Sequence, residues 1–144
     1  MRTTEFRGKR KDNGKWAEGC LIKYNDGACV IMVSSERKLT RMIEGKPFYQ
    51  IYAVTYEVDP ATVGEFTGKT DRDDTRVFEN DIILYRDDCN EQQIGVCQWC
   101  DVSCSFGLCA INGDDEGNQD GNMDRKPIQV IGNTTDNPEL METK

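Results

Sequence analysis

The sequence predicts a mainly β protein in which helix is confined to single turns. Asn13-Gly14 is a signal for a tight hairpin turn. Over residues 48–58, aromatic and β-branched side chains recur at every second position, which is the period of a half-buried strand. Apolar residues do not recur at helical spacing over three turns anywhere in the chain. We therefore expect an all-β fold, or an α+β fold with minimal helix, built from twisted antiparallel sheets.

Each predicted strand is bounded by turn residues or by a change in periodicity. The predicted strand segments are, in chain order, 5–9, 15–24, 28–33, 48–58, 77–78 with 81–86, 94–99, 105–111 and 128–131. The run at 28–33 is apolar throughout, so we expect a buried strand there; it is too short to cross a bilayer.

Helix signals are restricted to two short segments. Asp59-Pro60 combines an N-cap residue with proline at the first helical position, which predicts one turn. Asn137-Pro138 has the same signature and predicts a short C-terminal helix. The polar, Gly-rich segment 112–122 predicts a long mobile loop.

Length and composition indicate one soluble domain. A chain of 144 residues with 37% hydrophobic and 31% charged residues suits a single domain, which we place at residues 1–144. The first residues contain no apolar stretch like that of a signal peptide, and no segment is long enough to span a membrane. We therefore expect a cytoplasmic protein whose seven cysteines are reduced.

Charge is unevenly distributed along the chain. The net charge is −8, but residues 1–72 carry 13 basic and 10 acidic residues (+3), whereas residues 73–144 carry 5 and 16 (−11). Such an acidic chain is repelled by phosphate backbones, so nucleic acid is an unlikely partner. The basic cluster at residues 7–15 is interpreted as solvated charge around a hairpin turn, with a phosphate-binding arm as the alternative. The asymmetry also permits contact between oppositely charged faces of two copies.

The residue inventory argues against an enzyme. The chain has no histidine, which excludes Ser-His-Asp and Cys-His triads and most catalytic zinc sites. It also lacks the glycine-rich motifs that cradle nucleotide phosphates. We expect no catalytic residue and no cofactor; an enzyme that uses carboxylates alone is the weaker alternative.

The cysteines form the strongest candidate for a metal site. Cys97, Cys100, Cys104 and Cys109 lie within 13 residues, but zinc knuckles are usually separated by a longer stretch that folds into strands. We therefore expect structural or surface thiols rather than zinc. A calcium loop beginning at Glu116 is disfavoured because its twelfth position is Pro127.

Four stretches of the chain resemble the YopX-like family of phage and prophage proteins. They are residues 5–10 with 13–16, residues 58–68, residues 77–83 and residues 128–140. Asn80 stands where the family usually has glycine, so we expect a left-handed backbone there, which asparagine tolerates. We also expect Phe78 and Ile82 or Ile83 to be buried, and the Asp81 carboxylate to accept hydrogen bonds from backbone N–H groups at a tight turn.

The resemblance implies a mainly β fold with a small SH3-like barrel portion and a phage or prophage origin. It implies no activity and supplies no catalytic residues. The expected function is a non-enzymatic protein-interaction module that binds itself or a host or phage protein. The alternative is a nucleic-acid-associated or nucleic-acid-mimicking accessory protein that acts on a host DNA-binding protein.

Overall fold

The computed structural model describes residues 4–111, 119–120 and 127–142, which consist almost entirely of strands and turns. The strands are β1 (Phe6–Lys9), β2 (Trp16–Lys23), β3 (Cys29–Ile43), β4 (Lys46–Val58), β5 (Gly64–Thr70), β6 (Arg76–Phe78), β7 (Asp81–Arg86), β8 (Gln92–Cys100), β9 (Ser105–Ala110), β10 (Gln119–Asp120) and β11 (Gln129–Asn133). Two 3₁₀ turns cover Pro60–Thr62 and Pro138–Met141. The predicted mainly β fold is confirmed.

The described residues divide into two compact units, 4–63 and 64–142. Each has its own cluster of buried apolar side chains. This division does not determine whether the chain unfolds cooperatively, so the single domain over residues 1–144 stays a prediction. In the part of the chain that is described, no helix combines the length and the apolarity of a membrane span.

In the unit of residues 4–63, four antiparallel strands are ordered β4-β3-β2-β1. A turn at the predicted position joins the first two strands, but it has four residues, 11–14, rather than the two predicted at Asn13-Gly14: the Arg10 N–H donates to the Lys15 carbonyl oxygen at 2.9 Å. The Asn13 carboxamide oxygen accepts the N–H of Lys15 at 2.9 Å. The core cluster consists of Ala17, Cys29, Ile31 and Val58, with Phe6, Leu21, Tyr56 and Val63 packed against it. This core sits at one end of the two longest strands, and it leaves most of their length uncovered.

In the unit of residues 64–142, five antiparallel strands are ordered β10-β9-β8-β7-β11, and β5 pairs with β6 as a hairpin. The core cluster consists of Val77, Ile83, Tyr85, Cys97, Leu108 and Ile128. Strand β7 lies between β8 and β11 and is buried almost along its whole length. This matches its near-continuous run of apolar residues.

The segment of residues 77–83, which we call the signature segment, folds as predicted. Phe78, Ile82 and Ile83 are all buried. Asn80 has a φ of 72°, the left-handed backbone expected there. The buried Asp81 carboxylate accepts the N–H of Phe78 at 2.8 Å. The side chain of Asp81 therefore stabilises the sharp turn between β6 and β7.

A second buried carboxylate, that of Asp71, ties the turn after β5 to strand β11. One of its oxygens accepts the N–H groups of Asp73 and Thr75 at 2.8 and 2.9 Å, and the other accepts the N–H of Val130 at 2.9 Å. Burial opposes its ionisation, but these backbone donors outweigh burial and hold the pKa of Asp71 below its usual value. We call this link between the turn and β11 the Asp71 staple; the sequence did not predict it.

Several details differ from the expectations. The predicted SH3-like barrel portion is not closed in the described part of the chain. The short C-terminal helix is a 3₁₀ turn of four residues, Pro138–Met141. Within the predicted loop 112–122, residues 119–120 pair with β9 as β10, and the other positions lie outside the described residues.

Candidate interaction surface

The most unusual surface of the protein is a two-stranded extension of β3 and β4, residues 33–54, which we call the β-ribbon. Strand β2 pairs with β3 only between the Lys23–Cys29 and Cys20–Met32 positions. The β3–β4 ladder continues well beyond this, to the Ile43–Lys46 pair. At about 3.3 Å per residue the β-ribbon is about 30 Å long. Every residue in it is exposed.

The base of the β-ribbon coincides with a break in the sheet. The register of β3 against β4 shifts at Val33, so this residue forms a bulge between the Met32–Thr55 and Ser34–Val54 pairs. On the opposite side, a Cβ atom added at Gly19 would overlap the carbonyl oxygen of Met32. Because bulges increase local twist and interrupt pairing, the pairing of β2 with β3 ends where the β-ribbon begins, and the rest of β2 pairs with β1.

The tip of the β-ribbon is a tight turn. Glu44 and Gly45 have φ values of 50° and 75°, and two adjacent positive values are typical of a type I′ hairpin turn. A second bulge lies at Thr40, whose hydroxyl donates to the carbonyl oxygen of Phe48 at 2.9 Å. The β-ribbon is thus a regular hairpin with a defined register rather than a loop.

One face of the β-ribbon is apolar. Cross-strand partners share a face, and the pairs Arg37–Ile51, Leu39–Tyr49 and Met42–Pro47 alternate with pairs on the opposite side. We call Leu39, Met42, Pro47, Tyr49 and Ile51 the apolar face. The side chain of Ile51 is 73% exposed, that of Met42 58%, that of Leu39 56% and that of Tyr49 45%. Arg37 lies on the same side, three pairs beyond the Ser34–Val54 pair at the base, with its guanidinium carbon 4.4 Å from the centre of the Tyr49 ring.

The opposite side, which we call the charged face, combines cations with aromatic rings. It carries the pairs Glu36–Tyr52, Lys38–Gln50, Arg41–Phe48 and Ile43–Lys46. The Lys38 ammonium lies 5.6 Å from the Tyr52 ring centre, and the Arg41 guanidinium 5.9 Å from that of Phe48. Four basic and two acidic residues give the β-ribbon a charge of +2, in a chain of net charge −8.

Such a ribbon is energetically unfavourable in isolation. A two-stranded hairpin in water is marginally stable at best. Ordering each residue costs about 1–2 kcal/mol of backbone entropy. Monomeric proteins also rarely expose contiguous apolar patches beyond a few hundred Å² unless the patch is functional. The apolar face is therefore a candidate interaction surface.

The four clustered cysteines differ in burial and in their positions in the fold. Cys97 is fully buried in the core of the unit of residues 64–142. Cys100 and Cys104 flank the turn between β8 and β9, and Cys109 is half-buried on β9. Across the described residues, no group of three or more His, Cys, Asp or Glu side chains is placed to hold a metal ion. The Ser103 hydroxyl and backbone stabilise the thiolate of Cys100 and lower its pKa.

Basic side chains of the cluster at residues 7–15 contact acidic and aromatic side chains of the same unit. The Arg10 guanidinium donates to the Asp12 carboxylate at 2.9 and 2.6 Å and stacks 3.6 Å from the centre of the Tyr56 ring. The Lys11 ammonium is 3.1 Å from the Glu57 carboxylate. These contacts fit the interpretation as charge around a hairpin turn better than a phosphate-binding arm.

A groove of about 220 Å³ lies on the unit of residues 64–142. It is lined by Arg72, Leu84, Tyr85, Arg86, Gln92, Pro127, Ile128 and Gln129. The Arg72 guanidinium donates to the Gln129 carboxamide at 2.8 Å. The ionisable groups in this lining are the guanidinium groups of Arg72 and Arg86 and the phenol of Tyr85.

Sequence reasoning missed the β-ribbon. The pattern at 48–58 predicts a half-buried strand, which is right for Tyr56 and Val58 and wrong for the exposed Phe48 and Tyr52. Residues 34–47 contain a polar run that indicates a loop. The one available signal was the pair of turn-forming residues Gly45 and Pro47, which precede the strand predicted at 48–58.

The comparisons with known proteins agree with this fold. A family model described as "YopX protein" matches residues 5–142. The crystal structure of protein EF1440 from Enterococcus faecalis is similar, with a TM-score of 0.62 and 20% sequence identity over 99% of this chain and 100% of that one. At this identity the likeness shows the fold alone. None of the curated proteins compared with the chain matches it.

Proposed function

Because the chain belongs to the YopX protein family, we propose that it is a phage- or prophage-derived protein of the bacterial cytoplasm that binds another protein and catalyses no reaction. The β-ribbon makes the contact, through its apolar face. The observation that carries the proposal is the exposure of four large apolar side chains on one side of a hairpin beside which the described part of the chain places no third strand.

The physical argument is that binding removes this apolar surface from water. Burial is worth about 25 cal/mol per Å² of apolar surface, and it also offsets the entropy of ordering the hairpin. Aromatic and methionine side chains such as Tyr49 and Met42 are enriched at the centres of protein interfaces. The absence of histidine supports a binding role over acid–base catalysis.

A second candidate rests on the charged face. A two-stranded β-ribbon fits the major groove of DNA, and Lys38, Arg41 and Lys46 lie next to aromatic rings there. The net charge of −8 opposes this role, because the rest of the chain repels phosphates. A nucleic-acid-associated function is therefore the weaker candidate.

Affinity capture tests the proposal. The immobilised chain is exposed to nuclease-treated bacterial lysate, with a differently tagged copy of the chain added, at about 0.15 and 1 M NaCl. We compare it with Leu39→Ser/Ile51→Ser on the apolar face. The matched control is Val102→Ser, which changes an apolar side chain that is 97% exposed in the β8–β9 turn.

The proposal predicts that the wild type and the control retain a protein at both salt concentrations and that the double variant loses it. Retention of the same proteins by all three baits would refute a binding role for the apolar face. If, in a separate capture with an added DNA duplex, the wild type retains the duplex at low salt only and Lys38→Glu abolishes that binding, the second candidate replaces the first.

A further inference from the structure

We propose that the occupant of the apolar face is a second copy of this chain. Two β-ribbons pack face to face, antiparallel, about a two-fold axis. This inference rests on the proposed function and names its partner. A two-fold interface uses the same patch on both copies, so the patch must complement itself.

The charges along the β-ribbon meet this requirement. Arg37 lies on the apolar side, three pairs beyond the Ser34–Val54 pair at the base, and Glu44 lies in the turn at the tip. Two ribbons can pack antiparallel so that the tip of each lies over the Arg37–Ile51 pair of the other. Arg37 of each copy then faces Glu44 of the other, which gives two equivalent ion pairs. Parallel packing would instead place like charges opposite each other, which is unfavourable.

The same register brings the apolar side chains together. The axis passes midway between Arg37 and Glu44, near the bulge at Thr40. The Leu39–Tyr49 pair of one copy then packs on the Met42–Pro47 pair of the other, and this repeats by symmetry. Large residues thereby meet smaller or more flexible ones, which favours interdigitation at the usual sheet spacing of about 10 Å.

The buried area is sufficient for a specific but weak dimer. Aromatic side chains bury about 150–250 Å² when fully covered, and the smaller leucine, isoleucine and methionine side chains bury less. At exposures of 45–73%, the four main residues of the apolar face offer roughly 100 Å² each. With Arg37, Glu44 and Pro47 added, two copies together bury on the order of 1,000 Å², the lower end of specific interfaces. We therefore expect a dissociation constant in the micromolar range, on the order of 1–100 µM.

Sedimentation equilibrium of the full chain, from about 2 to 200 µM, tests the inference. The mass should rise from 16.4 kDa toward twice that value. Leu39→Ser/Ile51→Ser should remain monomeric throughout. Val54→Ser, an exposed apolar residue on the other side of the β-ribbon, is the matched control and should dimerise within about threefold of the wild type. A wild type that is monomeric at 200 µM refutes the second copy as the partner. The proposed function itself is refuted only if the lysate capture fails as well.

Charge exchange tests the antiparallel arrangement without disturbing the fold. Arg37→Glu alone and Glu44→Arg alone should each weaken dimerisation at least about tenfold, because like charges then face each other. An equimolar mixture of these two variants should form a heterodimer within about threefold of the wild-type affinity, since position 37 of each again faces an opposite charge at position 44 of the other. If the mixture stays monomeric, the antiparallel register is wrong. If Lys38→Glu disrupts the dimer and the apolar-face variant does not, the interface lies on the charged face.

Discussion

The Asp71 carboxylate offers the sharpest test of how the unit of residues 64–142 is held together. It is only 6% exposed and accepts three backbone N–H groups, one of which, that of Val130, belongs to the distant strand β11. We consider the replacement of Asp71 by alanine, which removes all three acceptor contacts and leaves the β11 donor half-buried.

The expected loss is about 3 kcal/mol. A hydrogen bond to a charged group contributes about 1.5–3 kcal/mol, so the Val130 contact accounts for most of it. The Asp73 and Thr75 N–H groups lie in a surface turn and can be rehydrated, so together they add about 1 kcal/mol. Asp71→Asn keeps one oxygen acceptor without the charge, and we expect it to lose about half as much.

Urea melts followed by Trp99 fluorescence measure the effect, in a background in which Trp16 is replaced by phenylalanine so that only one unit is observed. Asp73→Ala, an exposed carboxylate in the same turn, is the control and should change the free energy of unfolding by less than about 0.5 kcal/mol. A loss below about 1 kcal/mol for Asp71→Ala would refute the staple.

The staple also predicts a pH dependence. Because the pKa of Asp71 is lower in the folded chain than in the unfolded chain, the carboxylate stabilises the fold at pH values above its unfolded pKa of about 4. This stabilisation is lost as the pH falls through the folded pKa. The difference in unfolding free energy between the wild type and Asp71→Asn should therefore narrow from pH 7 toward pH 3, and a constant difference would contradict the assignment.

The remaining predictions concern the signature segment, the cysteines and cooperativity. In urea melts, Asp81→Ala should cost about 1–2 kcal/mol through loss of its bond to the Phe78 N–H, and Phe78→Ala about 3–5 kcal/mol through the cavity it leaves; equal losses would contradict this. Cys100 should be alkylated by iodoacetamide faster near pH 7.5 than the exposed Cys89, and Ser103→Ala should slow it because the Ser103 hydroxyl lowers the Cys100 pKa; an unchanged rate by mass spectrometry would count against that role. Chelation by EDTA should leave the urea midpoint unchanged, and a drop together with stoichiometric zinc would overturn the metal-free assignment. If residues 1–144 are one domain, Trp16 and Trp99, observed one at a time, should report the same midpoint; two separate midpoints would refute it.

The parts of the fold that were predictable are those where local chemistry and burial agree. The position of the turn at Asn13-Gly14 follows from backbone preferences alone. Strand β7 follows from its apolar run, since both of its faces are covered. The turn at Asn80 and Asp81 was predicted because short polar side chains accept hydrogen bonds from nearby backbone N–H groups, and because asparagine tolerates a positive φ.

The β-ribbon escaped prediction for the opposite reason. Hydrophobic alternation marks a strand because one face is buried, and the β-ribbon has no buried face within one chain. Residues 34–38 consist of serines and charged residues, so they resemble a loop until their pairing with 50–54 is seen. The Asp71 staple was equally invisible, because its donor from Val130 is 59 positions away in the chain.

The bulge at Val33 has a consequence for how this protein tolerates changes in length. The pairing of β2 with β3 ends at Met32, so residues beyond the bulge can be removed from β3 and β4 without breaking a hydrogen bond between β2 and β3. The two-residue period of a strand restricts such changes, because an odd deletion in each strand would exchange the two faces of all residues toward the tip. Homologous chains should therefore differ in this hairpin by multiples of four residues in total, two from each strand, and a shortened hairpin of that kind should still fold.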